Sequence, residues 1–328
     1  MAEFDCRICG SRDEHRMVRA REMMFGTREE FDYFECRQCG TVQITTVPDL
    51  AMHYPPEYLS FDDERPSVLD ETFAKRLAAR WAGPRLATGR GIPGDLVLWL
   101  KPWVADHFPP SLRHPHLALK PSTRILDIGC GRGHLLRTLR CFGFRELQGA
   151  DAFIDDDLEL PGGIRVYRRQ INEIEGEYDL VMMHHSFEHM TDPNAALVEV
   201  KRLLAPGGIC LIRVPLANAA WERYGTDWVQ MDPPRHLFLF TERALRSMAE
   251  KAGFDIDDVV YDSTSFQFWG SEQYRRDIPL RDERSHDIPL NPLSIFTREQ
   301  IQAWENEAAE LNRERRGDQA CFYLRPRA

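Results

Sequence analysis

The sequence predicts an α/β protein: a doubly wound, mostly parallel sheet preceded by a small N-terminal metal-binding module. Three observations predict it. A short apolar strand at 123–128 runs into a glycine-rich corner at 129–133 and then into a helical run, HLLRTLRCFG. From there to the C-terminus, short apolar strands alternate with amphipathic helices, the pattern of a sheet covered by helices. At the other end, four cysteines form two C-x-x-C pairs.

Length and composition bound the function. A chain of 328 residues has room for a large domain plus a smaller one, with a core that needs no disulfide staples. The formal charge is -10, from 42 basic and 52 acidic residues. Nucleic-acid affinity comes mostly from neutralising phosphates, so an acidic chain is a poor default binder. RMVRAR and RLAARW are locally basic. The opening MAEFDCRICG lacks the apolar core of a secretory signal. The most apolar run, DLVLWLKPWVADHF (95–108), is too short to span a bilayer and is interrupted by Lys101 and Pro102. It reads as a helix packed on the domain. These features predict a cytoplasmic protein with reduced thiols.

The cysteine pairs are Cys6-Arg-Ile-Cys9-Gly10 and Cys36-Arg-Gln-Cys39-Gly40. Two residues between thiolates let both sulfurs face one ion, and the following glycine permits a tight turn. Two such knuckles make a closed tetrahedral zinc site, as in a zinc ribbon. Redox-active dithiols would not need two copies with matching glycines. A closed site has no open coordination position, so its expected role is structure or docking. The intervening MVRARE and REEFDYFEC read as short strands. A module this small draws its folding energy from the metal. The other cysteines, Cys130, Cys141, Cys210 and Cys321, are scattered. The expected division is a zinc ribbon at 1–60, a helical linker or cap at 61–120 with a helix near 67–81, and a core domain at 121–328.

The core domain is legible element by element. The corner at 129–133 has G-x-G-x-G spacing, with Asp127 just before it. A carboxylate there would repel a pyrophosphate and welcome a cationic amino-acid group. Asp151 ends the next strand, where a carboxylate can grip both hydroxyls of a ribose. The run EYDLVMMH (177–184) is the fourth strand. The helix after it is capped by Asp192, opened by Pro193 and stopped by Gly207-Gly208, with Leu197, Val200, Leu203 and Leu204 on its buried face. ICLIRVP (209–215), DIDDVVYD and ACFYLRP (320–326) supply the remaining strands.

The segments LDIGCGRG, GADA, YDLVMMHHSFEH and LLAPGGICLIRVP, in this order over 121–262, resemble the class I S-adenosylmethionine-dependent methyltransferases. The resemblance implies a seven-stranded Rossmann-like sheet whose last strand is antiparallel, between strands five and six. It implies that Asp127 and the loop of Gly129, Cys130, Gly131 and Gly133 hold the methionine part of S-adenosylmethionine. It also implies that Asp151 holds the ribose; Ala152 beside it and His184 at the end of the fourth strand are further candidate cofactor contacts.

HHSFEHM (184–190) ends the fourth strand, on the side of the sheet where ligands bind. Three readings stay open. His189 or His185, with an ordinary pKa of about 6.5, is a general base for a hydroxyl nucleophile. Alternatively, His185, Glu188 and His189 bind a second divalent metal, with i, i+3, i+4 spacing on one face and His236 completing the set. Or Glu188 and His189 stabilise the loop by hydrogen bonds while His184 or His185 packs on the cofactor. The cluster is similar to the Glu-x-x-Glu-His cluster of quinone-precursor and small-RNA 2′-O-methyltransferases, with His185 at the place of the first Glu. DPPR (232–235) is not the Asp-Pro-Pro-Tyr motif of amino-methylating enzymes, since it follows strand five and ends in Arg.

Two insertions, at 216–240 and 263–316, are candidate lids over an acceptor. The first is rich in Trp and Tyr, rings that stack on sugars or flat ligands. The alternative is a loop packed on its own aromatics. The expected function is methylation of a small-molecule acceptor, at a hydroxyl. The whole layout looks like bacterial methyltransferases of surface polysaccharides and sugar nucleotides, which implies a sugar or glycan acceptor. An RNA methyltransferase with a zinc module and a cofactor-binding scaffold without activity are the competing functions.

Overall fold

The computed structural model describes residues 4–55 and 72–327. The N-terminal segment forms β1 (Arg16–Arg21), β2 (Glu30–Glu35) and β3 (Val42–Ile44). Three helices precede the core: α1 (Phe73–Thr88), α2 (Ile92–Leu100) and α3 (Trp103–Asp106). The core begins with β4 (Arg124–Ile128), α4 (His134–Cys141), β5 (Glu146–Ala150), β6 (Leu158–Leu160) and β7 (Ile164–Tyr167). It continues with β8 (Tyr178–His184), α5 (Pro193–Leu203) and β9 (Leu204–Pro215). The last third holds α6 (Ala219–Tyr224), β10 (Phe238–Leu239), α7 (Glu242–Lys251), β11 (Phe254–Tyr261), α8 (Phe266–Arg275), α9 (Arg298–Arg313) and β12 (Gln319–Pro326).

Local chemistry sets the helix starts. The Asp192 carboxylate accepts from the Ala195 N–H at 2.9 Å, ahead of Pro193 in the first turn of α5. Thr241 accepts from Ala244 N at 3.1 Å to start α7, and Thr297 with Gln300 closes a capping box on α9. Burial of the apolar faces supplies the larger stabilisation. Leu180 to Met183 in β8 and Leu197, Val200 and Leu203 in α5 are all at most 1% exposed. Each such side chain contributes roughly 1.5–3 kcal/mol.

One sheet has the strand order β11-β12-β9-β8-β4-β5-β7-β6. β4 pairs in parallel with both β5 and β8, and β5 with β7. The seven expected strands are present, with β12 between β9 and β11. An eighth, β6, adds an antiparallel edge to β7 through a turn containing Pro161-Gly162-Gly163. The strand after α5 begins at Leu204 rather than at Ile209. A second, four-stranded sheet has the order β1-β2-β3-β10.

The chain divides into two compact units. One holds 1–53, 187–195 and 213–322; the other holds 54–186, 196–212 and 323–328. Within the first unit the cysteine module does not stop at β3. β10, from the loop after β9, extends its sheet with Leu239 opposite Val42 and Phe238 opposite Gln43. The expected module boundary at 60/61 and residues 67–71 of the expected linker helix lie outside the described residues; from Phe73 on, the helix forms. The run 95–108 departs from expectation. Lys101 and Pro102 break it into α2 and α3, and Leu96, Trp99 and Leu100 are 56%, 77% and 61% exposed instead of packed.

Candidate active site

The glycine corner lies at the end of β4. Gly129, Gly131 and Gly133 have φ of 73°, 53° and 77°, left-handed values that cost a side-chain-bearing residue energy. Packing demands two of them independently. A Cβ at Gly129 would lie 2.3 Å from Ser186 Cβ, and one at Gly133 would lie 2.7 Å from Leu160 Cδ1. The Ser186 hydroxyl donates to Ile128 O at 2.6 Å, fixing the end of β8 against the corner.

Two carboxylates face burial here. Asp127 is 3% exposed, and burial first, then the charge of Asp151, pushes its pKa well above the ordinary range. Asp151 is raised by burial and partly restored by backbone N–H donors. Its two oxygens accept from Gly131 N and Phe153 N, both at 2.8 Å. Each carboxylate oxygen has a second lone pair, so Asp151 keeps capacity for a diol. Two desolvated acids on neighbouring strands favour a cationic ligand, as the ammonium and sulfonium of S-adenosylmethionine would provide. The residues fit that cofactor. Cys130 has its thiol held up by burial and by both acids, which makes it inert. Ala152 is exposed and His184 is half-buried as the last residue of β8.

The four N-terminal cysteines converge, with their sulfurs within 4.8 Å of one another. Cys6 Sγ lies 3.7 Å from Cys39 Sγ and Cys9 Sγ lies 3.6 Å from Cys36 Sγ. A tetrahedron with Zn–S bonds of about 2.3 Å places its sulfurs about 3.8 Å apart, so the donor set fits zinc. Gln43, fully buried in β3, donates to Cys6 Sγ at 3.1 Å and accepts from Arg7 N at 3.1 Å.

The histidine-rich stretch resolves into two parts. His185 takes φ 51°, uncommon for a non-glycine residue, and a single helical turn, Phe187–His189, follows. The group able to hold a metal is Glu188, His189 and His236, whose ligand atoms lie within 4.8 Å of one another. His185 is not part of it. The chain turns at His185 before the helical turn begins, so the i, i+3, i+4 face expected for His185, Glu188 and His189 does not form.

Backbone carbonyls fix both rings of the cluster. His189 Nδ1 bonds Arg235 O at 2.8 Å and His236 Nδ1 bonds Gln230 O at 2.7 Å. A carbonyl only accepts, so each Nδ1 carries a proton. Burial, then His236, pushes the His189 pKa down to about 4, so that ring is neutral at pH 7. Glu188 is fully buried, and its Oε1 lies 3.8 Å from His236 Nε2.

Asp232, Arg235 and Glu22 support the cluster. Arg235, 1% exposed, donates through Nε to Asp232 Oδ2 at 3.0 Å and through Nη2 to Glu22 Oε1 at 2.9 Å; Nη2 also bonds Asp232 Oδ1. Glu22 in turn accepts from Phe25 N and Thr27 N. The Tyr33 hydroxyl donates to His236 O at 3.0 Å, and Leu237 N donates to Glu188 O at 2.9 Å. Sequence reading missed Asp232, Arg235, Glu22 and Tyr33 as site residues. The signal was available for Arg235: a cation inside MDPPRHLFLF must be exposed or paired. The aromatics of 216–240 favour the packed-loop alternative. Trp221, Tyr224 and Trp228 are at most 6% exposed, and Trp228 Nε1 donates to Asp318 at 2.9 Å.

Residues 105–259 match a family model described as a methyltransferase domain. A ubiquinone biosynthesis O-methyltransferase of Maricaulis maris is 29% identical over 228 residues, covering 62% of this chain and 88% of that protein. Another, from a Ruegeria species, is 30% identical over 164 residues, covering 42% of this chain and 66% of that protein. Among solved structures, an S-adenosylmethionine-dependent methyltransferase from Mesorhizobium loti is 19% identical with a TM-score of 0.39, covering 64% of this chain and 96% of that one. Among the described residues, no helix is long and apolar enough to cross a membrane.

Proposed function

We infer that this S-adenosylmethionine-dependent methyltransferase delivers its methyl group to a hydroxyl oxygen of a small-molecule acceptor, and that Glu188, His189 and His236 deal with the proton of that hydroxyl. One observation carries the reading: two imidazoles held through Nδ1 offer ligand atoms that lie within 4.8 Å of those of a buried carboxylate. The Maricaulis and Ruegeria relatives are named as O-methyltransferases, which agrees with it.

The cofactor supplies an electrophilic methyl group on sulfur. Asp127 is placed to balance its cationic end, and Asp151 to accept from its ribose hydroxyls. In the first reading His189 takes the hydroxyl proton, and the Glu188 carboxylate stabilises the imidazolium, offsetting the low basicity that burial imposes. A second reading is favoured by the convergence of acceptors: Glu188, His189 and His236 would hold a divalent cation, which lowers the pKa of a hydroxyl bound to it. A neutral His189 suits this as well, because a ligand must be deprotonated. The four cysteines would hold a structural zinc.

The cofactor assignment has a direct test. Asp151→Asn should weaken S-adenosylmethionine binding by about 10–100-fold in calorimetry, since it removes a charged acceptor from the diol. Unchanged affinity would move the ribose elsewhere. The acceptor is tested by supplying cofactor with sugar nucleotides, glycan fragments and phenols, and scanning each by mass spectrometry for one added methyl. The sugar class rests on the motif layout alone. Methylation of phenols only would remove it, and methylation of amines only would overturn the hydroxyl reading.

A further inference from the structure

The helical pair before the core has its polarity reversed. α1 turns small residues inward: Ala78, Ala79, Ala82 and Gly83 are buried. A Cβ at Gly83 would lie 2.0 Å from Phe142 O, so the helix backbone itself sits on the protein. The large apolar residues of α1 point the other way. Phe73, Leu77 and Trp81, at i, i+4 and i+8, are 73%, 38% and 52% exposed. α2 repeats the pattern. Its sole buried residue is Gly94, where a Cβ would meet the Arg85 side chain at 2.4 Å and Trp81 O at 3.0 Å. Ile92, Leu96, Trp99 and Leu100 form one face and are 85%, 56%, 77% and 61% exposed. α2 packs back on α1, so the two stripes belong to one hairpin.

Exposed apolar surface on this scale marks an interaction site, because scattered single residues do not line up on both helices of a hairpin. The charge around it names the partner. The chain carries a net -10, yet residues 73–103 hold Lys75, Arg76, Arg80, Arg85, Arg90 and Lys101 against a single acid, Asp95. Asp95 pairs with Arg85. Leucine and isoleucine anchors, two tryptophans and a basic rim are the composition of a helix lying in a lipid headgroup region. The run is too short to span. A protein partner would be expected to match the apolar face without requiring the basic rim.

We propose that the α1–α2 hairpin docks the enzyme on an anionic lipid surface, inserting Ile92, Trp99 and Leu100 at the headgroup level while its arginines and lysines meet the lipid phosphates. The hairpin acts independently of the transfer chemistry and uses none of its residues.

The test is co-sedimentation of the full chain with vesicles of phosphatidylcholine alone and with phosphatidylglycerol added. Wild type should sediment with the anionic vesicles and little with the neutral ones, with a blue shift of tryptophan emission. Ile92→Ser/Trp99→Ser should cut partitioning at least about ten-fold. Arg80→Gln/Arg90→Gln should cut it by roughly five-fold per charge, and high salt should act in the same direction. These side chains are exposed, so the variants should keep wild-type circular dichroism and cofactor affinity. No sedimentation with anionic vesicles, or equal sedimentation of the Ile92→Ser/Trp99→Ser variant, overturns the proposal. So does a wild-type dimer in solution that this variant dissociates without any vesicle binding, since a second copy would then be the occupant.

Discussion

His189→Ala lowers the methyl-transfer rate by about 10²–10⁴ and leaves S-adenosylmethionine affinity essentially unchanged. The expectation follows from how the ring is held. Its Nδ1 is held by Arg235 O, and burial keeps the ring neutral at pH 7. Asp127 and Asp151, the proposed cofactor ligands, sit at the ends of β4 and β5, away from the bonds that hold this ring. Glu188→Gln and His236→Ala separate the two readings. If His189 is the base, His236→Ala has the smaller effect and chelators leave the rate alone. If the cluster holds a cation, all three variants fall together, each weakens metal affinity by about 10–100-fold, and added Mg²⁺ or Mn²⁺ restores the chelated enzyme. The four cysteines would hold an ion of their own, so zinc content must be measured in parallel. Wild-type rates in all three variants would hand the cluster a purely structural role.

The sheet was legible in the sequence because each core element carries its own local instruction. The Asp192-Pro193 start of α5, the continuous apolar run of β8 and the glycine corner need no distant partner to be read. What escaped were features made by residues far apart. Arg235 meets Glu22 across 213 positions, and Gln43 reaches Phe238 only because β10 joins the sheet of the cysteine module. No periodicity announces a two-residue strand. The spacing argument for His185 failed for a local reason: it assumed a continuous helical turn from 185, whereas the chain enters that turn only at Phe187. The cysteine pairs were readable because thiolate spacing is itself the geometry of the site. The pairing of their sheet with β10, next to His236, was not.

Cys36→Ser should abolish stoichiometric zinc and lower kcat by at least about ten-fold, while cofactor affinity, set at the ends of β4 and β5, stays close to wild type. The reason is the route from sulfur to histidine. Gln43 donates to Cys6 Sγ, and its strand pairs with β10, which continues directly from His236. Thr241 donates to Cys39 O at 2.7 Å at the far end of the same strand. From β1 and β2, Glu22 and Tyr33 reach Arg235 and His236 O. In zinc-finger peptides the metal supplies about 10–16 kcal/mol of folding energy, far more than three short strands can replace. With the metal gone, the two ends of the loop carrying His236 lose their anchors while the glycine corner keeps its own. Arg235→Met offers a check that leaves the thiolates intact. It removes one partner of a buried ion network, costs about 3–5 kcal/mol of stability in denaturant titration, and should reproduce the kcat loss with full zinc content. Arg235→Lys, keeping the charge without the fork, should recover part of it. A zinc-free Cys36→Ser enzyme with wild-type kcat would falsify the coupling and return the module to a role in docking.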